Sequence, residues 1–83
     1  MKFFYTNKAA KQLKDLPLLV QKRISRKMRF YANQKNPLRF AKHLIDFQEG
    51  EFCFRIGDYR LIFDVIDDSI YLLKVAKRDK IYD

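Results

Sequence analysis

Two arginines, Arg55 and Arg60, flank a Gly57-Asp58 pair lying between two runs of alternating apolar and polar residues. Glycine at the first central position suits a two-residue type II′ turn, which sets Ile56 opposite Tyr59, Arg55 opposite Arg60, Phe54 opposite Leu61 and Phe52 opposite Phe63. The apolar residues then share one face of the strand pair and the two arginines the other. Like charges directly opposite each other destabilise a strand pair by a few tenths to about 1 kcal/mol. What the pair offers in return is chemistry: two adjacent guanidiniums form a preorganised fork for phosphate. The bland alternative is a surface network in which Asp64 or Glu51, a diagonal step away on the same face, neutralises the arginines.

Other reactive side chains are few. The chain has one cysteine, Cys53, and one histidine, His43. An intramolecular disulfide, the usual zinc ligand sets and a two-histidine ribonuclease mechanism all need more than that. No metal and no cofactor is therefore expected. Cys53 falls within a strand pattern and reads as a small buried apolar residue. His43 has the intrinsic pKa of a proton acceptor near neutrality but lies in the segment whose pattern is least defined.

The net charge of +8 is unevenly placed. Residues 1–42 carry twelve Lys and Arg against the single acid Asp15, whereas residues 43–83 carry six against nine. A positive field concentrated in one half is the footprint of a polyanion partner, and nucleic acid is the leading class. No apolar run approaches the roughly 18 residues that span a bilayer, and no signal-peptide progression opens the chain. A cytoplasmic protein is expected, without membrane association. Eighty-three residues, 48% of them apolar and only two of them glycine, make one domain over 1–83 with a true core.

The elements that must hold the arginine pair can be read from the spacing. Lys2 to Tyr5 is a short strand ending at Thr6-Asn7, both good helix caps, after which Ala9, Ala10, Leu13 and Leu16 recur at helical spacing. Pro17 suits the first turn of a second helix, whose apolar stripe is Val20, Ile24, Met28 and Tyr31. Its opposite face carries Lys22, Arg23, Arg26, Lys27 and Arg29, and the pattern stops in the Asn33 to Pro37 breaker cluster. Leu38 to Gly50 reads as loop with a possible helical turn. From Glu51 the period becomes two, giving a hairpin about Gly57-Asp58, then a turn at Asp67-Asp68-Ser69 and a last strand from Ile70 to Ala76. The expected fold is α+β: a small β-α-α-β-β-β domain with a helical hairpin on one face of an antiparallel sheet.

With these residues in place, GDYRLIFDV (57–65), the apolar strand that follows and VAKRDKIYD (75–83) resemble the third and fourth strands and C-terminal tail of the RelE/ParE superfamily of toxin–antitoxin toxins. The preceding β-α-α order with its lysine-rich helices is similar too, so the likeness covers essentially the whole chain. RelE-like members of that superfamily cut messenger RNA on the ribosome, and ParE-like members bind DNA gyrase without RNA chemistry. The resemblance implies that Arg60 is the phosphate-contacting arginine of the third strand and that Arg78 and Tyr82 are the arginine and tyrosine of the tail. The family's basic positions on the second strand fall on Cys53 and Arg55, of which only the second is basic, and Lys77 supplies further charge. Catalytic roles are thus expected for Arg55, Arg60, Arg78 and Tyr82. RNA and ribosome contacts are expected for Lys22, Arg23, Arg26, Lys27, Arg29 and Lys77. The implied reaction is metal-independent attack of a ribose 2′-hydroxyl on the adjacent phosphate, inhibiting translation, with Tyr82, His43 or a lysine as the base. The alternative is a ParE-like, non-catalytic gyrase inhibitor. The partners implied are the ribosome, messenger RNA and a small acidic, amphipathic antitoxin, forming an oligomeric toxin–antitoxin complex.

Overall fold

The computed structural model describes residues 1–44 and 50–77. Along them the chain forms β1 (Lys2–Tyr5), α1 (Asn7–Lys14), α2 (Leu18–Ala32), a 3-10 turn (Pro37–Phe40), β2 (Lys42–His43), β3 (Phe52–Ile56), β4 (Tyr59–Ile66) and β5 (Ser69–Lys77). The strands make one sheet in the order β1-β5-β4-β3-β2. The α+β architecture with both helices on one face is the expected one. Two features amend it. β1 lies parallel to β5, so the sheet is mixed, and the two-residue β2 extends the edge beyond β3. A parallel pair needs a long crossover, here most of the chain, and alternation within a strand carries no record of which distant strand it meets.

Single side chains set the helix ends. Thr6 donates its backbone N–H to the Leu72 carbonyl (3.0 Å), and its hydroxyl oxygen accepts from the Ala9 N–H (3.2 Å), closing the first turn of α1. Pro17 stands at the N-cap of α2 and offers no side-chain cap. Gln21 serves the other side of the junction: its Nε2 donates to the carbonyls of Lys14 (3.0 Å) and Leu16 (2.8 Å), tying the end of α1 to the start of α2. The predicted stripe on α2 faces the sheet, with Ile24, Met28 and Tyr31 buried. These meet Phe54, Ile56, Leu61, Phe63, Ile70, Leu72 and Val75 in one core, joined by Ala9 of α1.

The hairpin register is the one the turn residues dictate: Ile56 pairs with Tyr59, Arg55 with Arg60, Phe54 with Leu61 and Phe52 with Phe63. Gly57 has φ +59, as a type II′ first position requires. Between β4 and β5 the register slips, since Ile62 pairs with Lys74 but Phe63 with Leu72, leaving Leu73 as an extra residue on β5. This bulge resets the alternation, so that Ile70, Leu72 and Val75 all reach the core and Lys74 turns to the opposite face.

Gly50 lies against that opposite face. It has φ +155, and a Cβ there would stand 2.5 Å from Ile62 Cγ2 and 3.3 Å from Leu73 Cδ1. Gly50→Ala therefore combines a disfavoured backbone with overpacking, and a loss of about 1–3 kcal/mol is expected. Urea unfolding followed by circular dichroism measures it; an unchanged midpoint would mean that the backbone passes farther from Ile62 than it does here.

Candidate functional site

The face of the sheet turned away from the helices carries the charge. Register and alternation place Lys42, Cys53, Ile62 and Lys74 in one row across β2, β3, β4 and β5. The next row is Arg55, Arg60 and Ala76, and on the far side of Ile62 lie Asp64, Tyr71 and Phe4. Among the described residues, Lys42, Arg55, Arg60 and Lys74 thus gather about Ile62 on this face, and Lys2 shares the face at its far edge, opposite Ser69. The places of Lys42 and Lys74 on this face were not read from the sequence. The signal for Lys74 is the consecutive apolar pair Leu72-Leu73, which breaks the period before Val75; for Lys42 a two-residue strand leaves none.

The arginine pair is asymmetric. Arg55 is exposed, whereas Arg60 is wholly enclosed, 0% accessible. Cys53 and Ile62 beside it are buried as well, so Cys53 is the packed apolar residue its position predicts. On the same face the Asp64 Oδ1 accepts from the Glu51 backbone N–H at 2.9 Å. Arg60 is enclosed within the fold while Arg55 meets solvent.

His43 sits on the other side. It pairs with Phe52, which borders the core, and its ring stands edge-on to that phenylalanine at 5.0 Å. Register therefore separates His43 from Arg60 by the thickness of the sheet. Lys77 pairs with Tyr59 at the exposed end of β5, again on the helix side. Burial pushes the Tyr5 and Tyr31 hydroxyls above their ordinary range, which removes both as proton acceptors near neutrality. Arg78 and Tyr82 lie outside the described residues. Among the described residues no group of three or more His, Cys, Asp or Glu is placed to hold a metal ion, and no helix is long and apolar enough to cross a membrane.

The five basic residues of α2, Lys22, Arg23, Arg26, Lys27 and Arg29, are all exposed. Two also make local contacts. The Arg23 guanidinium lies over the β3–β4 turn, its Nη1 2.9 Å from where a Cβ of Gly57 would be. The Lys27 ammonium sits 5.4 Å from the Phe30 ring centre and 5.8 Å from that of Tyr31. Since α2 packs its apolar stripe on the sheet, this basic surface and the Arg55/Arg60 face point away from each other. The arrangement can hold a polyanion along α2, and on the opposite face it sets Arg55, Lys42 and Lys74 around the enclosed Arg60.

Comparison with known proteins bears on the family and the fold. The family model described as the ParE toxin of the type II toxin–antitoxin system parDE matches residues 3–82. No curated protein matches. Among solved structures, a chain of the toxin–antitoxin complex RelBE2 from Mycobacterium tuberculosis superposes with a TM-score of 0.74 at 28% identity, covering 93% of this chain and 96% of that one. A chain of the RelB–RelE antitoxin–toxin complex from Methanococcus jannaschii gives 0.72 at 26% identity, covering 96% and 95%. The archaeal RelE–RelB complex from Pyrococcus horikoshii OT3 gives 0.71 at 24% identity over 93% of each chain, a likeness of fold.

Proposed function

Because the chain belongs to the ParE toxin family of type II toxin–antitoxin systems, we propose that it is a toxin held in check by a cognate antitoxin and that its activity is metal-independent, ribosome-dependent cleavage of messenger RNA in the cytoplasm. The observation that carries this reading is the cationic sheet face, where Arg55 and Arg60 stand directly opposite with Lys42 and Lys74 in the neighbouring row. A 2′-hydroxyl attacking its adjacent phosphate builds negative charge on the phosphoryl oxygens, and preorganised cations lower that barrier without a metal. Arg78 and Tyr82 complete the proposed set, with Tyr82 or a lysine taking the proton; His43 drops out as base because it lies on the opposite face. The α2 surface, with Lys77, supplies sequence-independent contacts to ribosomal RNA.

Enclosure of Arg60 fits dependence on the ribosome. Contact with a phosphate requires the covered face to open, and a free, flexible RNA brings little energy to open it. A substrate ordered on the ribosome arrives already positioned, an advantage that reaches about 7–11 kcal/mol in oriented reactions. The same enclosure also favours a second reading, a gyrase inhibitor of the ParE kind, for which a buried arginine needs only to shape a contact surface.

The two readings separate in one assay. The purified chain is expected to cut messenger RNA in a programmed ribosome within a single turnover, to leave the same RNA nearly intact when it is naked, and to leave gyrase supercoiling unchanged. Inhibition of supercoiling with no cut on the ribosome puts the second reading first. Fast degradation of naked RNA removes the ribosome from the proposal.

A further inference from the structure

Between Asp15 and Asp46 the sequence holds no acidic residue, and it holds Lys22, Arg23, Arg26, Lys27, Arg29, Lys35, Arg39 and Lys42. Within this stretch the 3-10 turn is capped by Asn36, whose Oδ1 accepts from the Leu38 N–H (3.2 Å), and it carries Phe40 back onto the last turns of α2. The Phe40 ring meets Phe30 edge-on at 5.5 Å and Tyr31 at 5.6 Å. Tyr31 is buried, but Phe30 and Phe40 each keep 45% of their surface exposed. Exposed apolar side chains are ordinary one by one; here two rings in edge-on contact present an aromatic surface to water amid cations. Beside Phe40 opens a concavity of about 380 Å³ lined by Gln34, Lys35, Asn36, Arg39 and Phe40. The Lys27 ammonium lies over the Phe30 ring, 5.4 Å from its centre.

We propose that this patch is a docking site for single-stranded nucleic acid, in which an unpaired base lies against Phe40 and Phe30 while the flanking phosphates meet Lys27, Lys35 and Arg39. Aromatic faces take any base, and cations on either side of them follow the backbone, so the site is tolerant of sequence. The absence of acids over this stretch argues for a polyanion, and the exposed rings argue for unpaired bases over duplex. The patch lies at the end of α2, on the helix side of the molecule. It deepens the nucleic-acid part of the function proposed above by adding a base-stacking contact to the phosphate contacts of α2.

The test is fluorescence anisotropy of labelled oligouridine, oligothymidine and an RNA duplex of equal length with the purified full chain. Phe40→Ala should weaken binding of both single strands about 5-fold to 100-fold, Phe40→Trp should restore it, and the duplex should bind both variants alike. A loss on oligouridine with oligothymidine unchanged makes RNA the source; equal losses make it either strand. Lys35→Gln with Arg39→Gln should flatten the salt dependence for all three probes. Thermal melting confirms that the variants fold, and photocrosslinking of 5-iodouridine RNA to Phe40 or Phe30 supplies an independent readout. If Phe40→Ala leaves single-strand binding unchanged, or crosslinks fall only on the sheet face, the proposal is overturned. Polyglutamate bound with the same dependence on Phe40 overturns it in favour of an acidic protein segment. Phe40-dependent binding without cleavage on the ribosome would leave this site standing and sink the ribonuclease reading.

Discussion

Arg60→Met is expected to slow cleavage on a programmed ribosome by about 100-fold to 1000-fold, the scale of about 2.7–4 kcal/mol associated with losing one preorganised donor to a developing oxyanion. Methionine is the informative replacement because Arg60 is fully enclosed beside Cys53 and Ile62. Alanine would leave a cavity there, and a loss of activity would then be confounded with a loss of fold. A long apolar side chain fills the space, so what is lost is the guanidinium and its contacts, and removing one member of a buried polar contact costs stability without leaving a cavity as well. The thermal midpoint should therefore fall by less than in Arg60→Ala, while the cutting rate collapses beyond what the folded fraction at the assay temperature accounts for. Arg55→Gln, at the exposed position across the strand pair, should lose less, since its guanidinium is already solvated and screened. If Arg60→Met cuts within a few-fold of the parent, the charge-stabilising role is wrong and the gyrase reading takes first place. If the cutting rate falls only in step with the folded fraction, the guanidinium serves the fold and not the reaction.

Phe54→Ala carries the largest expected effect on stability, a loss of about 3–5 kcal/mol. Phe54 is fully buried and sits at the centre of an aromatic stack, 4.3 Å from Tyr31, 4.5 Å from Phe63 and 6.2 Å from Phe3 between ring centres. Those contacts join α2, β4 and β1 through β3, so truncation opens a cavity that no single element can close by moving. Stacked rings add about 0.5–1.5 kcal/mol beyond their burial, which Phe54→Leu would lose while keeping most of the volume. In a domain of this size, where total stability is about 5–15 kcal/mol, the alanine variant should lie close to unfolding at 37 °C and the leucine variant should remain folded. Urea titration with a common slope measures both. Equal losses for the two variants would mean that ring geometry, more than volume, holds the core.

Local rules were sufficient wherever the determining residues are neighbours in sequence. Thr6, the stripe from Val20 to Tyr31, and Gly57 at the hairpin turn specify their own geometry through capping, helical period and a positive φ, and the structure follows each of them. From the hairpin alone came the pairing of Arg55 with Arg60, hence the candidate site, and from composition came the polyanion partner. The family was legible in the motif 57–65 for the same reason: its residues are contiguous.

Tertiary structure decided what depends on distant partners. That β1 lies parallel to β5 follows from where the two helices return the chain, and nothing within Lys2–Tyr5 encodes it. The bulge at Leu73 brings Lys74 to the arginine face, and β2 adds Lys42 to it, because one extra residue or one added strand inverts or extends a two-residue period. Burial is the clearest case. Arg55 and Arg60 are indistinguishable by alternation, yet one is solvated and the other enclosed, since enclosure depends on what crosses the sheet in three dimensions, as Gly50 does over Ile62.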